Sequence, residues 1–206
     1  MRIYSLYDGG YGSMCYLVSD DGNENAVLID PSVSYARAIA SVGGTMPKIS
    51  AILLTHGHFD HILFLDEWRE KTGAPVCISR EDASMLGNPE LSCYRMFFGE
   101  DKVHADAERI LEEGEEISFG KEKLRVYKAP GHTAGSLIFE GDGVLFTGDT
   151  VFAYGGYGRY DLPSGSAQHL ARSLHRIFTE FPPSYRIYPG HGSPSTLKDE
   201  RPLHHV

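Results

Sequence analysis

What the chain has little of narrows its chemistry before any motif is read. Its 206 residues include only three cysteines, Cys15, Cys77 and Cys93, an odd number with no CxxC pair. Each sits among apolar neighbours, as a small buried thiol does. A chain of this length buries roughly 70% of its unfolded surface, so it needs no disulfides to stand. No uncharged apolar run is long enough to cross a bilayer. The opening MRIYSLYDGGYGS lacks the cationic and apolar regions of a secretory signal. A cytoplasmic protein without a membrane partner is expected. Basic runs never exceed two residues, and 28 Asp and Glu outweigh 19 Lys and Arg for a formal charge of −9. A phosphate-tracking nucleic-acid surface is excluded on that ground.

What is present is globular: 41% hydrophobic and 23% charged residues, a composition and length that fit one domain over 1–206. Short β-branched or aromatic runs predict strands at Arg2–Leu6, Ser13–Ser19 and Ala26–Ile29, with a hairpin signal at Asp21-Gly22-Asn23. A short helix is expected over Ser34–Val42, stopped by Gly43-Gly44, then a fully apolar strand at Ile49–Leu54. Ile62, Leu65, Trp68 and Arg69 fall at helical spacing, and Pro75–Ser79 reads as a strand. From Arg80 to Glu116 the pattern weakens, which predicts a cover segment or insertion with an acidic rim at 110–117. Strands resume at Leu124–Lys128, Leu137–Glu140, Val144–Thr147 and Arg186–Tyr188. Ser166–Phe181 is an amphipathic helix with Leu170, Leu174, Ile177, Phe178 and Phe181 on one face.

Ten histidines is about twice ordinary usage, and their placement is the stronger signal. His56, His58, Asp60 and His61 follow one apolar strand. His132 follows a second through Pro130-Gly131, Asp149 a third through Gly148, and His191 a fourth through Pro189-Gly190. The rim past the C-terminal ends of strands is where sites form in α/β sheets. Five imidazoles and two carboxylates exceed one tetrahedral ion and suit two borderline metals, with one carboxylate able to bridge. In His56-x-His58 the two rings project to the same side of an extended segment and can chelate one ion. Asp60 and His61, at the following turn, face a second. Cysteine is absent from all four segments, which excludes a thiolate-rich structural zinc knot. His104, His169, His175, His204 and His205 read as surface or packed histidines, and the tail 203–206 as at most an adventitious metal binder.

The motifs Thr55-His56-Gly57-His58-Phe59-Asp60-His61, Pro130-Gly131-His132-Thr133, Phe146-Thr147-Gly148-Asp149-Thr150 and Tyr188-Pro189-Gly190-His191-Gly192 resemble the metallo-β-lactamase superfamily. Within it they are most similar to the short bacterial hydrolases of the hydroxyacylglutathione hydrolase (glyoxalase II)-like branch. The resemblance spans nearly the whole chain. It implies an α/β fold, the αββα sandwich of two mixed β-sheets with helices on the outer faces and metals at one edge. It also implies that His56, His58 and His132 hold one ion and Asp60, His61 and His191 another, with Asp149 bridging. The ions expected are zinc, with iron or manganese as alternatives. Secreted lactamases usually carry Cys at the position of Asp149, which disfavours lactam cleavage.

One departure from the branch lies after Asp149, in Gly156-Tyr157-Gly158-Arg159-Tyr160-Asp161. Arg159 matches a basic position that helps to grip glutathione, whereas Asp161 stands where an aromatic residue is expected. Arg159, Tyr157 and Tyr160 are candidate substrate contacts. The competing reading pairs Arg159 with Asp161 to stiffen the loop, and packs the tyrosines in the core.

The expected reaction is attack of a metal-bridging hydroxide on a thioester of the hydroxyacylglutathione type. Asp60 would orient the hydroxide or take its proton, and Thr55, Thr133 and Thr150 would fix the imidazoles. A thiolate leaving group departs without a strong acid. The partner is then a small-molecule substrate. Two rivals remain open: a mononuclear iron persulfide dioxygenase, and a non-catalytic scaffold on the same fold.

Overall fold

Strict alternation of buried side chains along the central strands requires both faces of each sheet to be covered. In Cys15–Ser19, Cys15 and Leu17 enter one apolar cluster while Tyr16 and Val18 enter another. The computed structural model, which describes residues 1–204, resolves this into two stacked sheets with helices outside. His205 and Val206, read above as part of the tail, lie outside the described residues.

The first sheet runs in chain order: β1 (Arg2–Leu6), β2 (Cys15–Ser19), β3 (Asn25–Ile29), β4 (Lys48–Leu53), β5 (Val76–Ser79) and β6 (Arg109–Leu111). β1, β2 and β3 form an antiparallel meander, and β3 to β6 are parallel. Helices α1 (Tyr35–Ser41) and α2 (Leu65–Thr72) supply the parallel crossovers. Trp68 of α2 is fully buried and donates its indole N–H to Val33 O at 2.7 Å. A short helix α3 (Tyr94–Phe98) precedes β6.

The second sheet holds β7 (Glu116–Phe119), β8 (Glu122–Lys128), β9 (Leu137–Gly141), β10 (Val144–Gly148), β11 (Arg186–Pro189) and β12 (Ser195–Thr196). The single parallel pair, β10 with β11, is bridged by α4 (Ala167–Glu180), and α5 (Leu197–Glu200) follows β12. α4 lays Leu170, Leu174, Ile177 and Phe178 on Ile138, Leu145 and Ile187. Between the sheets, Tyr16, Val27, Ile29 and Leu53 meet Leu124, Val126, Phe139 and Phe146. The αββα architecture is therefore present as expected.

The segment 80–116 differs from the expected insertion. It does pack over the first sheet, with Phe59 N donating to Ser92 O at 2.9 Å. However, Arg109–Leu111 pairs with β5 as an edge strand, and Glu116 already opens β7. Three and four residues per strand were too few to stand out as patterns against acidic neighbours. No helix among the described residues is long and apolar enough to cross a membrane.

Candidate metal centre

All seven predicted donors converge at the rim where the two sheets meet. β4 ends at Leu53, and the extended segment behind it carries His56 and His58, followed by a 3₁₀ turn at Phe59–His61. The second sheet supplies His132 past β8, Asp149 directly after β10, and His191 after β11. Backbone bonds tie these loops together. Ser13 N donates to Asp60 O at 3.1 Å, Met14 N to Gly190 O at 2.7 Å, and Gly190 N to Gly148 O at 2.8 Å. A side chain at Gly190 would set its Cβ 2.2 Å from Asp149 Oδ1, so the approach of this loop requires glycine.

The donor atoms form three overlapping groups, each within 4.8 Å: His56, His58 and His132; His56, His61 and Asp149; Asp60, His61 and His191. His132 Nε2 lies 2.9 Å from His58 Nδ1 and 3.2 Å from His56 Nε2. Asp149 stands between the first and third groups. Its Oδ2 is 3.5 Å from both His132 Nε2 and His191 Nε2, and its Oδ1 is 3.2 Å from His61 Nε2. Asp60 Oδ2 is 3.0 Å from His191 Nε2 and 3.7 Å from His61 Nε2.

The outer hydrogen bonds fix which ring nitrogen faces inward. Asp30, whose carboxylate can only accept, receives Thr55 N at 2.8 Å, Thr55 Oγ1 at 2.7 Å and His61 Nδ1 at 2.8 Å. Thr55 Oγ1, its proton committed to Asp30, accepts from His56 Nδ1 at 3.1 Å. His132 Nδ1 donates to Arg159 O at 2.6 Å. With both Nδ1 atoms turned outward, the inward nitrogens of His56 and His132 face each other at 3.2 Å. That juxtaposition is repulsive unless a cation sits among them. His61 Nε2 and Asp149 Oδ1, buried 3.2 Å apart, meet without hydrogen-bond geometry. The donor set fits divalent metal on these observations.

Protonation divides the centre in two. Burial and the neighbouring imidazoles push His56 well below the ordinary histidine value, and His58 down to about 3. Burial also opposes charge on His61 and His191, but here the carboxylates win. Asp149, Asp30 and Asp60 hold His61 well above its usual range, and Asp149 and Asp60 raise His191 to about 9. Asp149 is held well below the carboxylate range: its burial is overcome by His61, His191 and His132.

The three predicted substrate contacts fare differently. Arg159 lines the cavity over the donors, and its guanidinium is engaged by both oxygens of Asp161, at 2.7 and 2.8 Å. Tyr157 and Tyr160 line a separate groove with Leu170, Leu174 and Leu203 on the α4 side. Gly158 and Arg159 line the donor cavity, whereas the tyrosines on either side line the groove against α4. The aromatic lining of the donor cavity comes from Tyr11, Phe59, Phe97 and Phe152. Of the threonines, Thr55 touches His56, and Thr133 donates to Asp82 Oδ2 at 2.6 Å. Thr150 Oγ1 is buried without a partner among the described residues.

The sequence model of the metallo-beta-lactamase superfamily matches residues 8–191, which carry every donor. The chain belongs to this superfamily. Among curated relatives, the Streptococcus pyogenes protein named "Probable metallo-hydrolase M6_Spy0554" is 30% identical over 98% of this chain and 88% of its own length. The Bacillus subtilis "Probable polyketide biosynthesis zinc-dependent hydrolase PksB" is 29% identical over 88% and 74%. Among solved structures, the B3 metallo-beta-lactamase BLEG-1 superposes with TM-score 0.90 at 28% identity, covering 98% of this chain and 97% of its own. TTHA1623 in a di-iron-bound form gives 0.81 at 33%, covering 96% of each chain. ETHE1 from Myxococcus xanthus gives 0.80 at 28%, covering 99% and 83%.

In this member of the superfamily two buried carboxylates outside the four motifs support the centre. Asp30 is one, and the rule that found the donors applies to it: it directly follows the apolar strand β3, beside the strand that leads to His56. Asp82 is the other. It accepts from Thr133 Oγ1 and from Gly135 N at 2.9 Å, bracing the loop that carries His132. Its own segment has no periodicity that could have revealed it.

Proposed function

We propose that this metal-dependent hydrolase of the metallo-beta-lactamase superfamily cleaves a thioester, using two divalent ions held on either side of Asp149. The observation that carries the reading is the inward convergence of His56 Nε2, His58 Nδ1 and His132 Nε2, with Asp149 reaching from them to His61 and His191. His56, His58 and His132 would hold one ion, and Asp60, His61 and His191 the other. Bound there, such a pair supplies Lewis-acid polarisation of a carbonyl and a water acidified to near neutrality.

The chain's own residues do the rest. Asp30 fixes the tautomer of His61 directly and that of His56 through Thr55, so both rings are oriented before substrate arrives. Asp60 is 14% exposed on the cavity side, which suits its carboxylate to take a proton from the attacking water. No side chain needs to protonate the leaving group, because a thiol of pKa about 8.5 departs as thiolate.

A second reading is favoured by one observation. His56, His61 and Asp149 form a two-histidine, one-carboxylate group, the donor type of non-haem iron oxygenases, and ETHE1 is among the structural neighbours. Elemental analysis of tag-free protein tests both. Near two metals per chain with thioester turnover, assayed first on S-lactoylglutathione and simple acyl thioesters, is expected. One iron per chain, with oxygen uptake on glutathione persulfide and no hydrolysis, would replace the hydrolase reading by the dioxygenase.

A further inference from the structure

The cavity above the donors, about 300 Å³, has two unlike walls. One is the donor cluster itself. The other is aromatic and grows from Phe59, which is buried against the floor. Its ring centroid lies 4.7 Å from that of Phe97 and 5.3 Å from Phe98, and Phe98 meets Tyr11 edge-on at 5.5 Å. Phe152 and Leu162 continue the apolar lining. Tyr11 is 68% exposed, Phe97 48% and Phe98 37%. Contiguous exposed rings that pack on each other beside a reaction centre mark a binding surface.

Polar recognition is correspondingly thin on this side. Arg159 is a cation at the rim, and Asp161 engages its Nε and Nη2 through both oxygens, which offsets its charge and leaves only the Nη1 end for a substrate. Cys93 spends its thiol on Leu91 O at 3.9 Å. Among the described residues that line the cavity, the aromatic wall offers a hydroxyacyl group the Tyr11 hydroxyl, and the one Lys or Arg that could meet the carboxylates of glutathione is Arg159, already paired with Asp161.

We propose that the ring shelf of Tyr11, Phe59 and Phe97, backed by Phe98, receives an apolar acyl group, so that the substrate is an alkanoyl or arylacyl thioester rather than a hydroxyacyl-glutathione. The inference rests on the thioester reading above. In the reaction, water adds to the acyl carbon, the C–S bond breaks, and the thiol leaves while the acyl group departs as a carboxylate. The shelf orients the acyl chain, and its effect on rate is the apolar area covered, about fourfold per buried methylene.

The test is a series of N-acetylcysteamine thioesters from acetyl to octanoyl, with phenylacetyl and S-lactoylglutathione, on the metal-loaded enzyme. Expected is a kcat/KM that climbs with chain length, and a loss in Phe97→Ser that grows with chain length. Tyr11→Ser, at a site exposed enough to leave folding intact, should show the same trend. Calorimetric titration with the products should show octanoate binding at least tenfold tighter than lactate, and more weakly in Tyr11→Ser. A flat chain-length profile, or preference for S-lactoylglutathione over hexanoyl thioester, overturns the shelf while leaving thioester cleavage standing. No cleavage of any thioester by fully metallated protein, with octanoate still bound on the shelf, overturns the thioester reading instead. A dimer by light scattering that Phe98→Ser dissolves assigns the rings to a second copy and overturns the proposal.

Discussion

Asp30 holds the centre together through three donors, Thr55 N, Thr55 Oγ1 and His61 Nδ1. Asp30→Ala orphans all three in a buried site, and a loss of about 3–5 kcal/mol is expected by chemical denaturation. Asp30→Asn keeps the shape but cannot accept at every position. It should lower metal affinity or activity about 10–100-fold with a smaller stability change, read by chelator competition and kinetics. A pH prediction follows from the protonation split. His56 and His58 are neutral at pH 7, so an ion entering beside them displaces no proton. His191, at about 9, and His61, held above its usual range, are protonated at pH 7 and must release protons to ligate. Affinity on that side should therefore fall as pH drops from 9, by about tenfold per unit for each proton released. Titration in buffers of different ionisation heats should show one loading step without proton release and one with it. The convergence of the seven side chains was legible because imidazole and carboxylate past four strand ends is a pattern that packing alone does not produce. Asp30 obeys the same rule but stands alone in its segment, and Asp82 works through loop contacts that leave no periodic trace.

Among the elements, legibility followed burial. The strands β2, β3, β4, β9 and β10 are buried on both faces and were placed within about two residues. β6 and β7 are short edge strands with exposed acidic or basic positions, so propensity carried little signal and pairing with a neighbour decided the outcome. The helix α4 was readable as an amphipathic stripe, with Ser166 accepting from His169 N at 3.3 Å as its cap. Two substitutions separate its structural role from its role at the site. Phe178→Ala empties a fully buried ring position, and a loss of about 3–5 kcal/mol is expected with little change in the kinetics of the folded enzyme. Gly131→Ala acts where α4 meets the donor loop. Gly131 has φ +146° and a Cβ there would come 2.3 Å from Leu170 Cα, so either the helix or His132 must move. Both stability and turnover should fall in that variant, measured by thermal melting and kcat on the same sample.

At the scale of the whole molecule, the centre is a clasp across two sheets. His56, His58, Asp60 and His61 come from the first sheet, and His132, Asp149 and His191 from the second. Below the clasp the sheets meet through a largely apolar interface, with Tyr16 against Phe146 and Tyr188 in it. A polar tie at the seam is the Tyr16 hydroxyl, which donates to Pro189 O at 2.6 Å, next to the loop that carries His191. Any ion that binds the folded donors and not the dispersed ones stabilises the fold by mass action, about 4 kcal/mol at a free concentration 1,000 times its Kd. Without it, the inward nitrogens of His56 and His132 crowd each other at 3.2 Å across the two sheets. Chelation should therefore lower the melting temperature by several degrees, and zinc should restore it together with activity. The same experiment on His132→Ala discriminates a clasp from a passive ligand. That change removes one of the two crowded nitrogens, so the metal-free variant should melt close to or above the metal-free wild type. The metallated variant should melt below the metallated wild type. If chelation left the wild-type melting temperature unchanged, the two sheets would be held by their apolar interface alone, and the donors would contribute only to chemistry.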